Sequence, residues 1–234
     1  MTSLAANPPS PPRKPVAQRS KGSSRWLVAG LLIFGAMPLT FGVLRLLQLA
    51  GISNAMPPAL VSPVPLILHI VGALLYAVLG AFQFSASIRR RWPRWHRAAG
   101  RVALVGALLV AFSALWLTSL YVTPSLGGLL LAGFRIVVAS GMLISIGLGV
   151  AAVLRRDIPH HREWMIRSYA LGLGAATQML VLMVAEMVTG GAPTELNRAL
   201  LMGLAWALNI LCAEWVIRRG RPANSARRAR MNCR

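Results

Sequence analysis

Six stretches of the chain are apolar for long enough to cross a lipid bilayer, and two of the five segments between them are short and arginine-rich. A bilayer core about 30 Å thick needs roughly 20 residues of helix at about 1.5 Å rise per residue. The qualifying runs are 26–49, 64–87, 100–122, 128–154, 165–189 and 198–217. They are continuous rather than alternating, so the pattern predicts helices and not a closed barrel. The expected fold is all-α: a polytopic bundle of six transmembrane helices over 26–217, flanked by polar tails at 1–25 and 218–234.

The first tail carries Pro8, Pro9, Pro11, Pro12 and Pro15 among Ser, Gln and basic residues. Such a composition builds no core and is expected to be disordered. It is too long and too polar to head a cleaved signal peptide, and the first apolar run exceeds the usual length of one. The last tail, with Arg227, Arg228 and Arg230, reads the same way.

Charge sharpens this picture. Only 13% of residues are charged and 56% are hydrophobic, against about 25% charged in soluble domains. The net charge of +20 would suit a nucleic-acid binder, yet the basic residues sit in short clusters between apolar blocks. Arg13, Lys14, Arg19, Lys21 and Arg25 precede the first span. Arg89 to Arg101 joins spans two and three, Arg155 to Arg167 joins spans four and five, and Arg218 to Arg234 follows the last. In a six-span topology all four clusters fall on one side, and only Arg45, Arg135 and Arg198 lie outside them. Lys and Arg accumulate in cytoplasmic loops, so both termini are expected in the cytoplasm of a cell whose inner membrane holds the chain. These basic segments are also the expected contacts with anionic lipid headgroups. No protein partner is legible, and nucleic acid is excluded.

Cys212 lies within the sixth span and Cys233 in the tail, so no disulfide is expected, and no CxxC spacing suggests thiol redox chemistry. Gly141, Ser145 and Gly149 recur every four residues, which allows a neighbouring helix to approach closely. Gly72, Gly80, Gly172 and Gly174 offer the same. Pro38 is expected to kink the first span.

Ionisable groups inside a bilayer are costly, so each demands a partner or a purpose. Arg45, His69, Arg135 and Glu186, on four different spans, fall near one depth in the outer leaflet. They are the candidates for an outward-facing polar cavity in which Glu186 pairs with an arginine and His69 titrates. The alternative is that Arg45 and Glu186 snorkel to the interface. On the inner side, Arg90 to Arg97 and Arg155 to Arg162 both begin Arg-Arg, contain a proline and end His-Arg. This predicts a parallel internal repeat in which His96 and His161 are equivalent. Glu214 is expected to pair with Arg101 or Arg167. Two imidazoles on facing helices are the usual axial ligands of a b-type haem, which makes His96 and His161 haem-ligand candidates. Both are expected at or outside the membrane edge, which weighs against that role. No metal site is expected.

His69 to Phe84, Arg94 to Val102 and His161 to Tyr169 together resemble the bacterial predicted-membrane-protein family known as domain of unknown function 2306, over roughly Val64 to Ile217. Many members carry a basic residue at the place of Gln178. The resemblance implies a membrane fold and no particular activity. More distantly, His69, Gln83, His96 and His161 are similar in placement to the histidine pattern of six-helix di-haem cytochromes b. Phe134 and Arg135 stand where the fourth histidine of such a protein belongs, so only the inner pair would be complete.

Three readings remain. The first is a non-enzymatic role in handling a small ligand, anion or proton through the outer-leaflet cavity. The second is a redox protein with haem between His96 and His161. The third is a membrane scaffold. No HExxH, Walker or GxSxG signature supports a hydrolase, kinase or metalloprotease.

Overall fold

In a computed structural model, residues 21–52 and 62–220 are described. The proline-rich segment up to residue 20 and the tail from 221, with Cys233, lie outside the described residues. Eight helices and no strand occur among the described residues: α1 (Lys21–Leu49), α2 (Val64–Gln83), α3 (Ala86–Arg91), α4 (Pro93–Leu120), α5 (Leu126–Leu154), α6 (Ile158–Gly172), α7 (Gly174–Thr189) and α8 (Glu195–Gly220). Five of them, α1, α2, α4, α5 and α8, are each long and apolar enough to cross a membrane. The pair α6 and α7 makes a sixth candidate span, bent by 40° at a one-residue break.

The helices extend past the apolar windows because the polar ends carry good start signals. Pro93 is the first residue of α4 and Pro159 the second of α6, positions where the missing N–H costs nothing and the fixed φ suits a helix. Asp157 caps α6 by accepting from the His160 amide. The chain reaches that cap through Arg156, which adopts left-handed backbone (φ 61°). Its neighbour Asp157 donates its amide to the Ala152 carbonyl, closing α5 with the bond pattern usually built around glycine. α1 passes through Pro38 without interruption.

Small residues decide how the bundle closes. α2 and α4 form the closest pair, and Gly72 and Gly106 lie face to face between them. A Cβ at Gly72 would stand 2.8 Å from the Gly106 carbonyl oxygen, and one at Gly106 would stand 2.9 Å from that of Gly72. The buried stripe Ala103, Ala107 and Ala111 continues the contact. α2 and α6 are joined by two tyrosines, each packed on the other helix's glycine: Tyr76 on Gly172 and Tyr169 on Gly80. Their rings meet edge to face at 5.5 Å. Tyr76 Oη and Ser168 Oγ share a 2.8 Å hydrogen bond, and Tyr169 Oη donates to the Ala77 carbonyl at 2.8 Å. Gly149 accommodates Met165 and Trp164 between α5 and α6, while Gly141 faces Leu171 at ordinary distance. α2, α4, α5 and α6 follow one another round a four-helix core, so α4 and α6 stand on one diagonal and α2 and α5 on the other.

Candidate functional site

A cavity of about 150 Å³ lies among α1, α2, α4 and the α6–α7 break. Gly35, Pro38 and Gly42 form its α1 wall, and Gly172, Leu173 and Ala176 form the wall at the break. Its surface is mostly apolar. Tyr76 and Tyr169 reach it, but their hydroxyls are engaged with Ser168 and Ala77. Among the described residues, His69 is the one ionisable imidazole on the lining, and no Asp, Glu, Lys or Arg lines it.

A second residue holds His69 in place. Nδ1 lies 3.1 Å from Ser113 Oγ, and Ser113 Oγ donates to the Leu109 carbonyl at 2.5 Å. A serine hydroxyl has one hydrogen, so once that is given to Leu109 the oxygen can only accept from the ring. In that arrangement Nδ1 of His69 carries the proton and Nε2 keeps a lone pair. Nothing about Ser113 stands out in the sequence, because a serine inside a span usually bonds its own helix.

The break beside the cavity is held open by α8. Leu173 is both the last cap of α6 and the first of α7. The Ala170 carbonyl would accept from the Gly174 amide in an unbroken helix. It accepts instead from Asn209 Nδ2 at 3.1 Å, and Thr177 Oγ1 donates to Asn209 Oδ1 at 2.7 Å. Trp206 packs on Gly174, and Gln178 Nε2 reaches the Met202 carbonyl at 3.3 Å. Non-helical backbone at membrane depth survives only where other groups satisfy it, and Asn209 does so here.

The remaining far-side candidates do not line this cavity. Arg45 is half-buried on α1 and donates to Gln48 one turn on. Arg135 is half-buried on α5, with no hydrogen bond or ion pair to another described residue. Glu186 is exposed near the end of α7.

At the arginine-rich end, His96 and His161 occupy the same position in their helices. Each is the fourth residue, and its amide makes the first helical bond to the cap: His96 N to Trp92 O at 3.0 Å, His161 N to Asp157 O at 3.0 Å. They stand on diagonally opposed helices inside regular structure, whereas the hydropathy windows leave them in loops. His161 Nδ1 bonds the Gly149 carbonyl at 2.8 Å, which leaves Nε2 as its free nitrogen. His96 Nδ1 and Gln83 Nε2 are buried with no hydrogen-bond partner. Gln83 packs against Gly100, one turn beyond His96.

Around this pair the charges are arranged locally. Glu214 takes Arg167, with Nε to Oε1 at 2.5 Å and Nη2 to Oε2 at 3.2 Å, while Arg101 is exposed. The Arg167 guanidinium also lies 4.5 Å from the Trp164 ring centre. Asp157 pairs with His160 at 2.7 Å, and the bond from the His160 amide holds its carboxyl below the usual range. Cys212 is free and exposed. No group of three or more His, Cys, Asp or Glu able to hold a metal ion occurs among the described residues.

A family model described as "Predicted membrane protein (DUF2306)" matches residues 66–217, the stretch that carries the three sequence segments noted above. No curated protein and no solved structure matches the chain.

Proposed function

Since the chain belongs to the DUF2306 family of predicted membrane proteins, a multi-pass protein of five to six apolar helices, we propose that it binds a small, mostly apolar molecule bearing one hydrogen-bonding group. The cavity at the α6–α7 break carries this reading. Ligand sites in membrane proteins favour interrupted helices, and a concave apolar site with few polar groups is the default binding geometry. The ligand's apolar body would lie against Gly35, Pro38 and Gly172, with its polar group donating to His69 Nε2. The lining formed by the described residues carries no Asp, Glu, Lys or Arg, which favours a neutral ligand over an anion. The clustering of arginines in the α2–α4 and α5–α6 turns supports six spans, with both termini on the cytoplasmic side.

Phenol and toluene, equal in size and different only at the hydroxyl, are suitable probes for a cavity of benzene dimensions. Phenol is expected to raise the melting temperature of the detergent-purified protein more than toluene does. His69→Leu should erase the difference. Gly35→Leu should abolish both shifts without unfolding the chain, because a Cβ there meets nothing closer than 3.9 Å. Equal shifts in wild type and Gly35→Leu would overturn the assignment.

A second reading rests on the arginine-rich end. His96 and His161 are suited to hold a b-type haem: they sit on facing diagonal helices, His161 is oriented through Nδ1, and His96 has an unpartnered buried nitrogen. Haem bound there would supply one-electron transfer. Oxidised and reduced visible spectra of the purified protein test it. A Soret band lost in both His96→Ala and His161→Ala is the expected result. A colourless protein from haem-replete cells would end this reading and leave the first intact.

A further inference from the structure

α4 is longer than a membrane crossing requires. From Val102 to Leu120 it has no charged residue, and that run rises about 28 Å, nearly the whole hydrocarbon core. Arg101 therefore stands at the edge of the core, with Arg97 about 6 Å and Arg94 about 10 Å further out along the helix. Headgroups add roughly 5–8 Å beyond the core, and helical side chains lean toward the helix start, so Arg101 and Arg97 reach the phosphate layer. The three arginines also share one face. At about 100° per residue they fall in line with Val105, Phe112 and Trp116, which are 54%, 59% and 46% exposed. The opposite face of α4 is the buried alanine stripe Ala103, Ala107 and Ala111. Arg94, Arg97 and Arg101 are themselves exposed, so they continue the face that lipid wets.

This corner of the protein has no acid of its own. The first Asp or Glu in the chain is Asp157, far beyond the α2–α4 turn and its arginines. No hydrogen bond or ion pair joins Arg94, Arg97 or Arg101 to another described residue. The other arginine clusters differ: Asp157 and Glu163 accompany those of the α5–α6 turn, and Glu214 precedes Arg218 and Arg219 on α8. Two tryptophans stand among the α4 arginines. Trp92 is 59% exposed, and Trp95 meets Phe82 of α2 edge to face at 6.0 Å. Tryptophan beside arginine at this depth is the composition of a headgroup belt. A phosphate of the lipid already lies at the level, and on the face, where the stripe presents its charge.

We propose that the lipid-facing stripe of Arg94, Arg97 and Arg101 at the start of α4 binds the phosphate of an anionic phospholipid, with its acyl chains along Val105 and Phe112. The site is separate from the cavity at His69 and stands whether or not that cavity binds a ligand. Native mass spectrometry of the full chain, mixed with equal phosphatidylglycerol and phosphatidylcholine, tests the proposal. The wild-type chain should retain phosphatidylglycerol in preference. Arg97→Gln/Arg101→Gln leaves four arginines in the turn to hold the topology, and should cut that preference about 25-fold, at about fivefold per arginine. Arg155→Gln/Arg156→Gln removes the same charge from the α5–α6 turn, where acids stand nearby, and should change the preference by less than about twofold. Melting temperatures in a zwitterionic detergent verify that the variants fold. Should the α4 double variant melt early, Arg97→Gln alone carries the test, with about a fivefold drop expected. Equal retention of the two lipids by the wild-type chain would overturn the proposal. So would equal drops in the two double variants, or a folded α4 variant that keeps the wild-type preference.

Discussion

Gly72→Ile is expected to be the most damaging single substitution in the described bundle. The new Cβ would fall 2.8 Å from both the Gly106 carbonyl oxygen and Leu109 Cβ, and 3.1 Å from the Val110 amide nitrogen. Backbone cannot rotate out of the way as a side-chain end can, so α2 and α4 would have to separate along their length. Forced overpacking costs about 3 kcal/mol or more when no rotamer relieves it. For a chain of this size that corresponds to roughly 10 °C in melting temperature. The matched control is Gly30→Ile on α1, where a Cβ meets nothing within 4 Å. It should melt with the wild type or slightly above it, since glycine is a poor helix former. Similar melting temperatures for the two variants would show that the α2–α4 contact does not set stability.

The second large effect should come from the Arg167–Glu214 pair. Their side chains are 19% and 30% exposed, so both charges are mostly withdrawn from solvent. Arg167→Met would take two charged donors from the Glu214 carboxylate, a loss of about 2–3 kcal/mol once partial exposure is discounted from the buried-pair range. Glu214→Met should cost a similar amount. The double variant should lose far less than the sum of the two, giving a coupling of about 2 kcal/mol in a thermal or denaturant cycle. Arg167→Lys should behave more like the methionine variant than like wild type. An ammonium cannot make the two-pronged contact, and it stacks less well on Trp164. Additive single effects would mean that the two residues act independently.

The sequence reveals the membrane helices and family membership because these depend on summed quantities. A run of 20 apolar residues has no soluble alternative of comparable stability, and the His-Arg segments are specific enough to recognise. The helix starts were also legible in principle. Pro93 and Pro159 are start signals that place His96 and His161 at the fourth helical position, but hydropathy windows ignore them because the residues that follow are polar. The break at Leu173 is a different case. Gly172 and Gly174 hint at it, yet the same spacing serves equally for close packing in an intact helix. What opens the chain there is Asn209, thirty-nine residues away, taking the place of an amide on the Ala170 carbonyl. A partner at that distance is set by tertiary contact and leaves no local trace. His69 stood out as a candidate because a histidine in a span is conspicuous. Ser113, which bonds its ring, is one unremarkable serine among many.

The cavity has one wall of different standing from the rest. Gly35, Pro38, Leu39 and Gly42 belong to α1, whereas the family match begins at residue 66, after that helix has ended. The tyrosine clasp, the glycine pair and the patched break all fall within the matched region, so the chamber's frame lies inside the family match while its α1 wall lies outside it. Substitutions confined to α1 would therefore reshape the chamber without touching the α2–α4 and α2–α6 contacts that hold the inner helices together.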